Sequence, residues 1–567
     1  MTEVSIIILA GGHADRLRGC LGSFCRQTQP AEDYEVVVVF SGSSDDTDDT
    51  LSDLAVPYKL CGVRANRRGF GVALNGGVEA ASGRYCLFLA DDVMAHPRLV
   101  AEHLKRQRQG GGVIGIGQIL LALPQGADGL ARYVAQERRD RYAKLDQGEC
   151  PSYADCGSGN LSLPREAILK AGGFAFDLSG SESIELAYRL TGDGLVPSYI
   201  PEAVVTQEYQ GGFRETADRI QRAGAASIEL YRRHPPMLST MALGAFNNMS
   251  RCALLLRRCL LALSGPLLPL AIIGPSLKHP SWKLAWYRFL RDYCYWRGVR
   301  AVVPREMWRR LVFGTTILMY HACGHPGEHA SLYVIPGNRF ARQMAWLKWT
   351  GRPVLSLEAF LQYHREHRLP PPRSIVITFD DGYADNRAIA YPILRRHGFP
   401  ATIFVVTEMV GGRNMWDTEG LLRGRPLLKW SDLKEMTHGG MSVGSHTKTH
   451  IPLADAPLPQ IEEEVKGSRV QIERELGGPI LSFAYPNGRH DNTSEAAVER
   501  AGFAGACSSH LGVNDPATPP YVLRRIEIRG TYSLMRFALA LWFGRTHVLP
   551  RRWFEPQLAM DHPGQKC

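Results

Sequence analysis

The short run Ser374-Ile-Val-Ile-Thr378 continues into Phe379-Asp380-Asp381-Gly382. It is too short for a helix and rich in β-branched residues, which reads as a buried strand. Two adjacent carboxylates are thereby delivered to a strand's C-terminal edge. In a parallel barrel or open parallel sheet that edge is where chemistry is built, because the next loop hangs from a rigid strand and faces solvent. An Asp-Asp-Gly hairpin turn uses the same residues, so the pair decides nothing alone. Downstream, Gly444-Ser-His-Thr-Lys-Thr-His450 sets two histidines four apart, between Gly444 and Pro452. One carboxylate and two imidazoles form a facial ligand set suited to zinc or a neighbouring divalent metal, with positions left for water and substrate. A third segment, Phe483-Ala-Tyr-Pro-Asn-Gly488, ends another short apolar run in a tight turn.

In this order the three segments resemble the polysaccharide deacetylases, carbohydrate esterase family four, from about Thr315 to the region of Tyr532. Ile317-Leu-Met-Tyr-His321 and Leu523-Arg-Arg-Ile526 fit the same pattern on either flank. The resemblance implies a distorted β/α barrel with its site at the strand C-termini. It implies Asp381, His446 and His450 as ligands of a divalent metal, zinc before others, and Asp380 as the base that takes a proton from water. The backbone N–H of Tyr485, aimed by Pro486, becomes the oxyanion donor. The Leu-x-His segment that supplies the acid in many relatives is missing after Arg525. Some relatives are circularly permuted and carry that histidine upstream in a Tyr-His segment, which makes His321 the acid here. Arg524 or Arg525 is left to orient Asp380, and Phe483 stands where the family often has arginine.

The N-terminal half reads as alternating strands and helices: Val4 to Leu9, Leu17 to Cys25, and Tyr34 to Phe40 running into Ser41-Gly-Ser-Ser-Asp-Asp-Thr47. Such alternation implies a parallel sheet. Asn66-Arg-Arg-Gly-Phe-Gly-Val-Ala-Leu-Asn75 leads into a helix, and Tyr85-Cys-Leu-Phe-Leu-Ala-Asp-Asp-Val93 is another strand that ends in paired carboxylates. Such a pair can hold a divalent cation against a diphosphate. Together with Gly157-Ser-Gly-Asn160, Gly172-Gly-Phe174 and Glu182-Ser-Ile-Glu-Leu-Ala-Tyr-Arg-Leu190, these pieces resemble the family-two inverting glycosyltransferases of the nucleotide-sugar-binding GT-A fold, over residues 1–212. That implies magnesium or manganese at Asp92, a nucleotide near Asp45, and an acceptor side lined by Gly157 to Asn160. Charged positions depart from the pattern. Phe40 and Ser41 replace an acidic pair, Ala90 replaces an aspartate, and Ser183 stands where the family's general base is expected. Serine cannot accept that proton at neutral pH, which leaves Glu182 or Glu185.

At 567 residues the chain is too long for one core. We divide it into a glycosyltransferase-like domain (1–212), a helical, basic, aromatic-rich linker (213–312), a deacetylase domain (313–545) and a tail (546–567), all of α/β class. The formal net charge of +10 and pI near 9.0 point to anionic lipid or sugar-phosphate, since no nucleic-acid motif accompanies them. Twelve cysteines without Cys-x-x-Cys pairs indicate reduced thiols in a cytosolic setting, and no secretory signal is evident at the N-terminus. Ala253 to Ile273 is apolar but is interrupted by Arg257, Arg258, Gly265, Pro266 and Pro269. An uninterrupted stretch of about twenty apolar residues is needed to span a bilayer, so this segment suits either an interfacial position or a buried helix pair.

The expected function is deacetylation of an N-acetylated oligo- or polysaccharide or lipid-linked sugar, coupled to transfer from a nucleotide-sugar, at the inner face of the cytoplasmic membrane. The alternative keeps the deacetylase alone, beside a saccharide-binding domain without turnover.

Overall fold

The computed structural model describes residues 2–544 except 12–13, 41–53, 66–68, 158, 179, 210, 264–267, 325–327, 329–331 and 418–421. Valine- and isoleucine-rich runs become strands in both of its compact units, Met1–Arg233 with Leu255–Val303, and His234–Leu254 with Pro304–Cys567. In the first unit the strands are β1 (Val4–Ala10), β2 (Tyr34–Phe40), β3 (Lys59–Arg64), β4 (Tyr85–Ala90), β5 (Val93–Ala95), β6 (Val113–Ala122), β7 (Asn160–Pro164) and β8 (Val196–Glu208). They lie in the order β3-β2-β1-β4-β7-β6-β8-β5. β3, β2, β1 and β4 are mutually parallel, whereas β7 runs antiparallel to β4 and β6. Val36 to Val39 are all fully buried, as a strand covered on both faces requires. Leu9 pairs with both Val39 and Ala90, so Gly11 and Asp91 leave the sheet at the same edge.

Residues beyond 212 continue this unit. Helix Phe213–Arg233 packs on helix Pro280–Val302. A Cβ on Gly224 would come within 2.1 Å of the Tyr295 carbonyl oxygen, and one on Gly298 within 1.9 Å of the Gln221 carbonyl oxygen. The two backbones touch through these glycines. Tyr293 and Trp296 are buried in the packing, whereas Trp282, in the first turn of the second helix, is exposed.

The second unit is a closed barrel. Its strands are β9 (Thr316–Tyr320), β10 (Ala322–Gly324), β11 (Val334–Pro336), β12 (Val354–Leu355), β13 (Ile375–Phe379), β14 (Thr402–Val405), β15 (Ser442–Ser445), β16 (Ser482–Ala484), β17 (Gly505–Leu511) and β18 (Leu523–Glu527). β13 to β18 follow one another in parallel, and β9 closes the ring by pairing with both β13 and β18. That makes a seven-stranded parallel barrel, with β12 added outside β13. Phe340, Met344 and Leu347, spaced for a helix, are buried on helix Gly337–Trp349 against the barrel core. Every strand end that carries an expected site residue opens at the same C-terminal rim.

Candidate active site

Asp380 and Asp381 follow β13 and are both buried, but they face different partners. Asp381 adopts φ +73°, a left-handed conformation that costs a non-glycine residue about 1–2 kcal/mol. Thr447 (φ +67°) and His450 (φ +66°), in the loop after β15, share this strain. Strain of this kind persists where the surroundings over-determine it, commonly at functional sites. The result is a tight cluster: His446 Nε2 and His450 Nε2 stand 3.5 and 3.3 Å from Asp381 Oδ1, and the three ligand atoms lie within 4.8 Å of one another.

These distances fit a metal centre. Ligand atoms each about 2.0–2.1 Å from a tetrahedral zinc ion are themselves roughly 3.4 Å apart. His446 Nδ1 lies 2.7 Å from the Ala484 carbonyl, to which it can only donate. The tautomer is thereby fixed and the Nε2 lone pair turned toward Asp381. Burial raises the Asp381 carboxyl, but hydrogen bonding to His446 and His450 outweighs it and holds the group well below the usual carboxylate range.

Asp380 is gripped by Arg525, whose Nη1 and Nη2 donate to Oδ1 and Oδ2 at 2.6 and 2.8 Å. Burial pushes this carboxyl up, yet Arg525, His446 and His321 together hold it below its ordinary value. Of the two candidate arginines, alternation along β18 turns Arg525 inward and Arg524 toward the surface. Arg525 also donates Nε to the Ser508 carbonyl at 2.9 Å. His321 follows β9, packs edge-on to Tyr333 at 5.0 Å, and lies near enough to lower both aspartates.

One expected contact is displaced. The Tyr485 N–H donates to the Cys507 carbonyl at 3.1 Å as part of the β16–β17 pairing, so it is not free to hold an oxyanion. Three supporting residues had no sequence signal of their own. Glu464 accepts from the Lys448 and Thr449 N–H groups (2.7 and 3.0 Å) and from Thr449 Oγ1 (2.6 Å), which fixes the loop between the two histidines. Tyr383 hydrogen-bonds Asp381 and accepts from Asn414 Nδ2 at 2.8 Å. Trp416 stacks on His450, with ring centroids 4.6 Å apart.

The N-terminal strand end is built differently. Asp91 Oδ2 accepts from Gly11 N at 2.5 Å, and Asp92 accepts from the Gln207 amide at 3.0 and 3.1 Å. Asn160, expected on the acceptor side, is instead buried with its amide fully engaged. Nδ2 donates to the Gln118 and Ala203 carbonyls (3.1 and 2.9 Å), and Oδ1 meets His103 Nε2 at 2.9 Å. Glu185 is held in a bidentate pair by Arg189, at 2.9 Å twice. Glu182 is also buried; Oε2 accepts from Gly180 N at 2.9 Å, and Oε1 has no hydrogen-bond partner among the described residues. Burial raises its carboxyl. Asp45 and Ser41 lie outside the described residues.

The two halves match two family models: residues 367–506 match polysaccharide deacetylase and residues 5–169 match glycosyl transferase family 2. The chain thus carries a polysaccharide deacetylase domain together with a glycosyl transferase family 2 domain. It is 27% identical over 212 residues to YxkH of Bacillus subtilis (strain 168), a protein named for polysaccharide deacetylation; this spans 37% of the present chain and 70% of the relative. Over 207 residues it is 26% identical to a poly-beta-1,6-N-acetyl-D-glucosamine N-deacetylase of Staphylococcus aureus (strain MRSA252), covering 35% of the chain and 68% of that protein. Among solved structures, the Streptococcus pyogenes deacetylase PplD in complex with acetate is 26% identical, with a TM-score of 0.36, covering 40% of this chain and 98% of that one.

Proposed function

We propose that this chain hydrolyses acetyl groups from N-acetylated sugars of an oligo- or polysaccharide in a metal-dependent reaction. Its first domain transfers sugar from a nucleotide-sugar in the same envelope or exopolysaccharide synthesis. The observation that carries the reading is the convergence, at one barrel rim, of a His-His-Asp ligand set with a second carboxylate locked by a buried arginine.

An acetamide resists hydrolysis because its carbonyl is resonance-stabilised and its amine is a poor leaving group. Asp381, His446 and His450 would hold a divalent cation, zinc before others, which would supply Lewis acidity toward water and the acetamide carbonyl. Asp380, kept ionised by Arg525, accepts the proton of the attacking water. His321 gives a proton to the sugar nitrogen as the C–N bond breaks, and acetate and a free amine leave. In the first domain Glu182 would serve as base and Asp92 would hold magnesium or manganese; Asp45, expected at the nucleotide, lies outside the described residues. A lipid-linked sugar and an anionic membrane surface complete the partners.

One observation favours deacetylation alone: Asn160 is wholly engaged inside the sheet, so part of the expected acceptor wall serves the fold. The direct test is acetate release from poly-β-1,6-N-acetylglucosamine by the zinc-loaded full chain. Release by the wild type, reduced at least about 10²-fold by Asp380→Asn, is expected. Absence of release from this polymer and from shorter N-acetylated oligosaccharides overturns the reading.

A further inference from the structure

Helix Arg251–Leu263 is built inside out. Leu255, Leu256, Cys259 and Leu263 share one face at helical spacing, and that face is exposed, with Leu263 at 78%. Its inward side instead holds Arg257, 2% exposed, with the guanidinium 5.8 Å from the centre of the Trp296 ring. A helix facing water carries its polar residues outward. Each leucine left in water forgoes about 1.5–3 kcal/mol of burial. The neighbouring helix Pro280–Val302 repeats the pattern at its first turns, where Trp282 (66%) and Leu284 (57%) are exposed.

Charge selects the occupant of this surface. From Arg251 to Val303 there are nine lysines and arginines and one aspartate, although Arg257 is buried and Arg291 is paired with Glu137 and Asp292. Lys278 and Arg288 are exposed among them. A second copy of the chain, docked by two-fold symmetry, would bring the same positive surface against itself. Anionic headgroups complement it, and exposed tryptophan suits the depth where headgroups meet acyl chains. No described helix is long and apolar enough to cross a membrane, so contact from one side is the geometry left.

We infer that the exposed faces of helices Arg251–Leu263 and Pro280–Val302 form an interfacial docking surface for an anionic lipid bilayer, with Leu255, Leu256, Leu263 and Trp282 entering the acyl boundary and Lys278 and Arg288 meeting headgroups. This rests on the reading above in naming the membrane partner, and it can fail independently of the deacetylase chemistry. The docked face would hold the enzyme where lipid-linked saccharide is presented.

The test is flotation of the full chain with vesicles of phosphatidylcholine alone or mixed with phosphatidylglycerol. The wild type is expected to float with the mixed vesicles and to be released by salt. Leu255→Ser with Leu256→Ser is expected to weaken partition about tenfold or more, and Lys278→Gln about fivefold, both with wild-type acetate release as the sign of a folded chain. Should the double variant misfold, Lys278→Gln and the salt titration still decide. Equal partition onto neutral and anionic vesicles overturns the inference. So does a concentration-dependent dimer that the leucine substitutions dissociate while lipid is ignored. Vesicle binding without acetate release would sink the catalytic reading and leave this one standing.

Discussion

The same sequence device, a short apolar strand ending in two aspartates, occurs twice in this chain and is completed in two ways. After β13, Asp380 and Asp381 are buried and meet an arginine from β18, two histidines from the loop after β15, and the neighbouring Tyr383. After β4, Asp91 and Asp92 meet a glycine amide and a glutamine side chain. A carboxylate pair at a strand end is thus only a mount. What it can do is set by the partners that the rest of the fold brings to it.

The comparison is most exposed in the first domain. If Glu182, the buried carboxylate with an open oxygen, is the base there, Glu182→Gln lowers sugar transfer from a nucleotide-sugar by about 10²–10⁴-fold while acetate release is unchanged. A wild-type chain that turns over no nucleotide-sugar with magnesium or manganese would instead make the contrast absolute, a working site beside a binding one.

In the second domain, Arg525→Met leaves the Asp380 carboxylate buried without its counter-charge, and loss of one partner of a buried pair costs about 3–5 kcal/mol. Denaturant unfolding should register that loss, and acetate release should fall with it; stability within error of wild type would contradict the grip assigned to Arg525. Glu464→Gln is milder. It loosens the loop between His446 and His450, and supports of this kind change metal affinity about 10–100-fold, which competition with a chelator would report.

The smallest expected effect lies on the quiet side of the comparison, beneath the N-terminal sheet. Glu35 is buried and accepts from Ser5 Oγ, Lys59 Nζ, Ser82 N and Ser82 Oγ at 2.6–2.8 Å. Burial alone would raise its carboxyl, but these donors bring it down to about 2 from an ordinary 4.5. A group depressed on folding stabilises fully above its unfolded value, and the contribution is lost as pH falls from about 4.5 toward 2. Glu35→Gln cannot titrate, so its melting temperature should decline less over that window, by about 2–4 °C for each kcal/mol involved. Parallel profiles for the two proteins would exclude Glu35 as a source of acid sensitivity.

Much of this was legible in the sequence because strands and metal ligands are local signals. Short apolar runs gave β1, β4, β9 and β13 their places, and the His446–His450 spacing beside an Asp-Asp-Gly strand end marked residues that the fold brings together. What escaped depends on register and on distance along the chain. The Tyr485 N–H looked available until β16 paired with β17, where Ala484 aligns with Cys507. Asn160 looked like a wall of the acceptor site because a sequence does not reveal that His103 and two carbonyls already satisfy its amide. Glu464 sits on a helical stretch with no motif, and only the close approach of the 447–450 loop gives it a role.

The most direct measurement of the central claim is the metal content of the purified full chain, wild type beside His446→Ala, by elemental analysis after loading with zinc. About one bound divalent ion is expected in the wild type, and its loss in the variant. Wild-type protein that holds no ion dependent on His446 would contradict that claim, and the barrel rim would then be a binding surface without hydrolytic chemistry.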